Sequence, residues 1–214
     1  MFILAQTSRT SLWSLFMQSF DVFTVLLIAG SIFGVALIFL CCVEIKRKNI
    51  APEQHASKML DLARQGRLEE VRDSCVRDDS LLSRVVRAAI AAPRNPLAMR
   101  EAAELAASEE SASWFRKIDL LNVIGNLGPL VGLAGTVWGM ILAFTSLGET
   151  GGQAGPAQLS LGISKALFHT LLGLCLAIPC LFAYGMLRNK LDKLCTRAIV
   201  VASEIVEYLS SKTN

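Results

Sequence analysis

Charge is scarce in this chain, and scarcest in three places. Only 18% of the 214 residues are Asp, Glu, Lys or Arg, against about a quarter in an ordinary soluble domain. Meanwhile 53% are hydrophobic and the mean hydropathy is +0.49. No charged residue occurs between Asp21 and Glu44, between Asp119 and Glu149, or between Lys165 and Arg188. Each run exceeds the roughly 20 residues a helix needs to cross about 30 Å of hydrocarbon. The lack of charge therefore predicts three transmembrane helices, rather than core helices of a soluble protein.

Other absences narrow the chemistry. There are only two histidines, His55 and His169, and the six cysteines (Cys41, Cys42, Cys75, Cys175, Cys180 and Cys195) form no C-x-x-C pair. No metal site is expected, and the cysteines inside the spans read as small apolar packing residues. No nucleophile–base pair, phosphate-binding glycine loop or metal cluster is present, so neither catalytic residues nor cofactors are predicted and an enzyme is not expected. A net charge of +3 marks no nucleic-acid partner. No strand signal or internal repeat is evident, and the fold class expected is all-α.

What charge there is has a pattern. Lys46, Arg47 and Lys48 follow the first run, Arg116 and Lys117 precede the second, and Arg188, Lys190, Lys193 and Arg197 follow the third. Positive residues mark the cytoplasmic side. The expected organisation is a periplasmic interfacial segment over 1–19, a first span over 20–43, a cytoplasmic helical domain over 44–119, a second span over 120–147, a periplasmic loop over 148–165, a third span over 166–187 and a cytoplasmic C-terminal helix over 188–214. Met1 to Gln18 lack the basic stretch of a secretory signal. With Trp13 and Phe16, that segment reads as a helix lying in the outer interface.

The 44–119 segment holds 14 Lys/Arg and 13 Asp/Glu, the balance of a solvated helical surface. Met59, Leu60, Leu62, Ala63, Leu68 and Val71 follow helical spacing, broken at Gly66. Leu81, Leu82, Val85, Val86, Ala89 and Ile90 repeat it before Pro93. Asn95 and Pro96 then supply an N-cap and a first helical residue. No breaker follows before Leu120, so one helix is predicted to run on into the second span. The third span is likewise predicted to continue beyond Arg188 through Leu191, Leu194, Ile199 and Ile205.

Two seams of small residues stand out. Gly125, Gly128, Gly132, Gly135 and Gly139 step through the second span by 3, 4, 3 and 4 residues, a heptad stripe of glycine alone. Glycine weakens a helix by about 1 kcal/mol per position relative to alanine in water, and its physical use on such a stripe is close approach of two helix backbones. Ala166, Thr170, Gly173, Ala177, Cys180 and Tyr184 form a matching stripe in the third span. Pro179 should bend that helix or loosen one backbone bond. The first span shows no such stripe and is expected to face lipid. Thr136, beside the glycine stripe, and Thr170, on the facing one, admit two readings. Periodicity favours hydroxyls that bond back to the carbonyl four residues earlier, and leaves open a role in an ion path. Lys165 reads as a snorkelling anchor, and His169 as an interfacial polar group.

The run Leu127-Gly128-Pro129-Leu130-Val131-Gly132-Leu133-Ala134-Gly135-Thr136-Val137-Trp138-Gly139-Met140 resembles the second-span signature of the ExbB/TolQ/MotA proton-channel family. Ala166-Leu167-Phe168-His169-Thr170, with Gly173-Leu174 and Ala177-Ile178-Pro179, resembles its third-span signature. Three spans, topology and length are similar to the ExbB/TolQ branch, whereas MotA has four spans. The resemblance covers Asn95 to Lys193 well and the rest by architecture. It implies a subunit of a bacterial inner-membrane complex that couples proton-motive force to work at the outer membrane, of TonB-dependent transport or Tol type. The implied partners are further copies of this chain in a pentamer, an ExbD/TolR-like single-span protein that supplies a membrane aspartate, a TonB/TolA-like protein, and the lipid membrane. By the same resemblance Thr136 and Thr170 are pore-facing hydroxyls beside the partner's carboxylate. Many family members carry glutamate where this chain has Lys165, and no carboxylate lies well inside the three spans. Lys165 either attracts a partner carboxylate or simply marks the membrane boundary. This departure also leaves open a non-conducting structural scaffold with the same fold.

Overall fold

The computed structural model describes residue 17 and residues 19–93, 95–149 and 156–211, so the interfacial segment expected over 1–19 lies almost wholly outside the described residues. Among these the chain is helical, with no strand. The helices are α1 (Val22–Glu44), α2 (Arg47–Ile50), α3 (Glu53–Gln65), α4 (Leu68–Arg77), α5 (Leu81–Ala91), α6 (Pro96–Glu149) and α7 (Pro156–Ser211). Three of them, α1, α6 and α7, are long and apolar enough to cross a membrane. The chain is a multi-pass membrane protein.

The two long helices follow the sequence logic. Asn95 Oδ1 accepts the Leu97 N–H at 3.1 Å, satisfying one of the donors a helix start leaves open. From there α6 runs without interruption through Pro129, and α7 runs through Pro179. A proline inside a helix removes one backbone hydrogen bond, and two helices of more than 50 residues keep enough others to continue. α7 starts ten residues ahead of the span predicted from Ala166.

Two compact units divide the chain. The first contains the described residues of Met1–Ile38 together with Leu120–Tyr184. Here the glycines of α6 lie on the small residues of α7. A Cβ added at Gly128 would stand 2.9 Å from the Gly173 carbonyl oxygen, one at Gly132 2.8 Å from the His169 carbonyl oxygen, and one at Gly139 2.9 Å from Ala166 Cβ. Gly162 and Ala143 extend the contact, at 2.6 Å between Cβ positions. Backbones this close exclude any side chain, which is why a seam costly in helix propensity is tolerated. The first span, which has no heptad stripe, still carries two glycines in close contact. Gly30 and Gly34, one helical turn apart, face Leu176 and Cys180. Leu27, Leu176 and Cys180 form the buried cluster that α1 joins, flanked by Ile38, Ile124, Val131 and Leu172. The outer surfaces stay apolar, with Ile32, Leu130, Leu167 and Phe182 exposed, as lipid or other subunits require.

The second unit comprises Phe39–Asp119 and Gly185–Asn214. α3 ends at Gly66, whose φ of 76° lies in the left-handed region. The N–H of Gly66 and the N–H of Arg67 reach back to the carbonyls of Ala63 and Leu62 at 2.9 and 3.1 Å, the glycine C-cap arrangement. Ser80 caps α5 by accepting the Ser83 N–H at 3.4 Å. Buried Met59, Ala63, Val71, Cys75, Leu82 and Val86 make the core with Met99 and Ala103 of α6 and with Leu191, Ala198, Ala202 and Ile205 of α7. Ion pairs run around this core. Arg84 joins Asp79 and Glu110, Arg64 joins Glu204, and Arg197 joins Glu53. Lys117 pairs with Glu44 and lies over the Trp114 ring. The mixed charge of 44–119 therefore solvates and ties together a helical bundle.

Candidate functional site

Two threonines and a histidine of the first unit lie at the glycine seam. Gly132 and Gly139 bring the α6 backbone against α7 at His169, Thr170 and Ala166. Thr136, one turn after Gly132, is thereby set against Thr170. The two hydroxyls hydrogen-bond to one another across the helices. Thr136 Oγ1 also lies 2.9 Å from the Gly132 carbonyl and 3.2 Å from that of Ala166, and Thr170 Oγ1 lies 3.4 Å from the same Gly132 carbonyl. Thr136 bonds back to the carbonyl four residues earlier, the reading that periodicity favours, and it also joins a polar contact between helices.

The result is a compact knot of two hydroxyls and two carbonyl oxygens among glycines. Thr136 is buried, 7% exposed, while Thr170 is half-buried. A hydroxyl both donates and accepts, so the knot can pass a hydrogen bond from one side to the other. It carries no charge of its own. Gly125, Gly128, Gly135, Gly139, Gly173 and Ala177 supply shape only. Pro179 lies six residues beyond Gly173, and the proline lacks the N–H that would otherwise reach the Cys175 carbonyl. Lys165 is half-buried on α7, one turn before His169, and is not drawn into the knot.

His169 departs from the sequence reading. An interfacial histidine would be wet, yet this one is 2% exposed. Its Nε2 lies 3.0 Å from Asp21 Oδ1, and its ring meets Phe23 edge-on with centroids 6.2 Å apart. Asp21, set aside in the sequence because it falls outside the uncharged run, caps α1 by accepting the Thr24 N–H at 3.0 Å. A carboxylate and a titratable ring thus lie in the same unit as the threonines. The sequence signal was present in one half only: Asp21 is a good cap residue before an apolar helix. Its partner lies 148 residues away, and no periodicity reports that pairing.

Three apolar helices, a glycine seam and a hydroxyl pair set between two of the helices define a multi-pass membrane protein with a polar site inside its helix packing. The sequence profile of the MotA/TolQ/ExbB proton channel family matches residues 77–198, which include all of the seam on α6 and α7. The biopolymer transport protein ExbB of Neisseria meningitidis serogroup A is 32% identical over 192 residues, covering 81% of this chain and 83% of that protein. The Tol-Pal system protein TolQ of Pseudomonas aeruginosa is 34% identical over 113 residues, 53% of this chain. The match covers 48% of TolQ, so the chain spans about half of that relative's length. The solved structure of C. jejuni MotAB shares the fold, with a TM-score of 0.61 over 90% of this chain and 79% of that one, at 17% identity. The chain belongs to the MotA/TolQ/ExbB proton channel family. It is a proton-channel subunit of an energy-transducing membrane complex, and the scaffold reading is not favoured.

Proposed function

We propose that this chain is the multi-span subunit of a bacterial inner-membrane motor in which proton flow past Thr136 and Thr170 drives work at the outer membrane. The observation that carries the reading is the hydroxyl pair bridging α6 and α7 inside the glycine seam. Hydroxyls there offer hydrogen bonds in a low-dielectric path without placing a fixed charge in it. The subunit is taken to assemble as a pentamer around a single-span ExbD/TolR-like partner that brings the titrating carboxylate. A TonB/TolA-like protein would carry the output. The segments over 44–119 and 188–214 are assigned to the cytoplasm, and the N-terminus to the periplasm.

The test uses cells that depend on this chain. Thr136→Val and Thr170→Val keep the shape of the side chain and remove the hydroxyl. Each is expected to abolish proton-driven uptake through the outer membrane while the protein remains present at wild-type level. Full uptake in both variants would sink the assignment. Detergent sensitivity with intact uptake would instead place the chain in a Tol-type system. Lys165→Ala with unchanged uptake would mark Lys165 as a membrane anchor.

A further inference from the structure

The Asp21–His169 pair lies beside the hydroxyl knot without belonging to it. The His169 side chain is enclosed on three sides. Gly135 of α6 leaves it room, since a Cβ there would come within 2.9 Å of the His169 Cβ and Cγ. Phe23 of α1 closes one edge, and Asp21 takes Nε2. Only 3% of the His169 side chain is exposed, against 38% of the Asp21 side chain. Nδ1 of His169 is buried and has no hydrogen-bond partner.

A purely structural account explains half of this. Asp21 has a reason to exist as the cap of α1. The histidine has none of that kind. An imidazole packed among apolar residues with one nitrogen unmet costs free energy that a leucine would not. The tautomer follows from the geometry. A carboxylate oxygen can only accept, so the proton of the neutral ring sits on Nε2 and Nδ1 carries the lone pair. That is the arrangement in which a carboxylate holds an imidazole ready to take one proton at its far nitrogen. Uptake of a proton at Nδ1 converts imidazole to imidazolium, and the new charge is balanced by Asp21. Release from the same atom restores the starting state. The other charges nearby are few. Gly132 and Gly135 of α6 carry none, and Lys165 stands one turn earlier on α7.

We propose that Asp21 and His169 form a proton-binding site of this chain, loaded at His169 Nδ1 and balanced by the Asp21 carboxylate held on Nε2. Loading turns the hydrogen bond from a neutral ring to the Asp21 carboxylate into an ion pair, so it also tightens the first span onto the third. Binding of the proton stands by itself. Its place in driving work, next in sequence to Thr170, rests on the proton-channel reading.

Because the chain has two histidines, the test is direct. The full chain, labelled with 15N-histidine and placed in lipid nanodiscs, is followed by NMR from pH 8 to pH 5, with His169→Gln identifying the His169 ring. The ring is expected to gain a proton at Nδ1 in this range. Asp21→Asn, which removes the balancing charge, is expected to abolish proton uptake at Nδ1 in this range, and Asp21→Glu to restore it. A ring whose protons do not change across the range, or that titrates identically in Asp21→Asn, overturns the proposal. Thr136→Val is expected to leave the titration in place. Intact proton-driven uptake in Thr136→Val would count against the hydroxyl path and leave the proton site standing.

Discussion

Gly173→Ala is the most economical perturbation of the seam. The added Cβ would stand 2.6 Å from the Gly128 carbonyl oxygen, 3.2 Å from the Gly128 carbonyl carbon and 3.3 Å from Gly132 Cα, and all three are backbone atoms. Ordinary contact begins at 3.4 Å, so the carbonyl has to retreat by about 0.8 Å, and a carbonyl moves only with its helix. Overpacking of this kind costs about 1–3 kcal/mol, offset by at most about 1 kcal/mol of helix propensity. The net expectation is a loss of about 1–2 kcal/mol, which lowers the melting temperature by roughly 2–8 °C in a chain of this size. Gly185→Ala, on the same helix with nothing within 4 Å of the added Cβ, is the control. It should be neutral or more stable by up to about 1 kcal/mol. A thermal ramp of the detergent-solubilised chain with a fluorogenic maleimide reads both, because Cys75, Cys180 and Cys195 are buried in the folded protein. Equal melting of Gly173→Ala and Gly185→Ala would refute the close-contact argument.

Further expectations concern the second unit. Gly66→Ala forces a Cβ into the left-handed conformation at φ 76° and should cost about 1 kcal/mol, seen as a lower urea midpoint for unfolding of the α3–α4 region. Burial pushes the Cys75 thiol up to about 11, so mass spectrometry should find it unalkylated at pH 8 until the protein is denatured. The Arg84 guanidinium bonded to Asp79 holds that carboxyl below its ordinary value of 3.8. The stability this contributes is complete above that value and is lost as pH falls through the depressed one. The difference in acid stability between wild type and Arg84→Gln should therefore shrink below about pH 4, as followed by circular dichroism.

How far the sequence carries depends on the distance over which each feature acts. The glycine stripe is local and periodic, and Gly125 to Gly139 read directly as a helix contact. Asn95-Pro96 and Gly66 act on their own backbone and were equally legible as helix boundaries. The start of α7 was less so, because a charge such as Lys165 marks where a membrane can end and not where a helix does. Gly30 and Gly34 were passed over because two glycines in a strongly apolar run make a weak stripe. They matter only through Leu176 and Cys180, which tertiary packing brings to them. His169 was the largest miss. Its position near the end of a span suggested water, and the Asp21 carboxylate and Gly135 hollow that bury it belong to other helices.

A contact made from two glycines has no smaller version of itself. In an ordinary core, an enlarged residue can be accommodated by shrinking its neighbour, and genetic suppressors of such lesions are found across the contact. Gly128 facing Gly173 permits no such exchange, since neither side has an atom left to give up. Suppressors of Gly173→Ala should therefore never fall at position 128 or 132. They should arise on surfaces away from the seam, where a gain in stability elsewhere offsets the strain without relieving it.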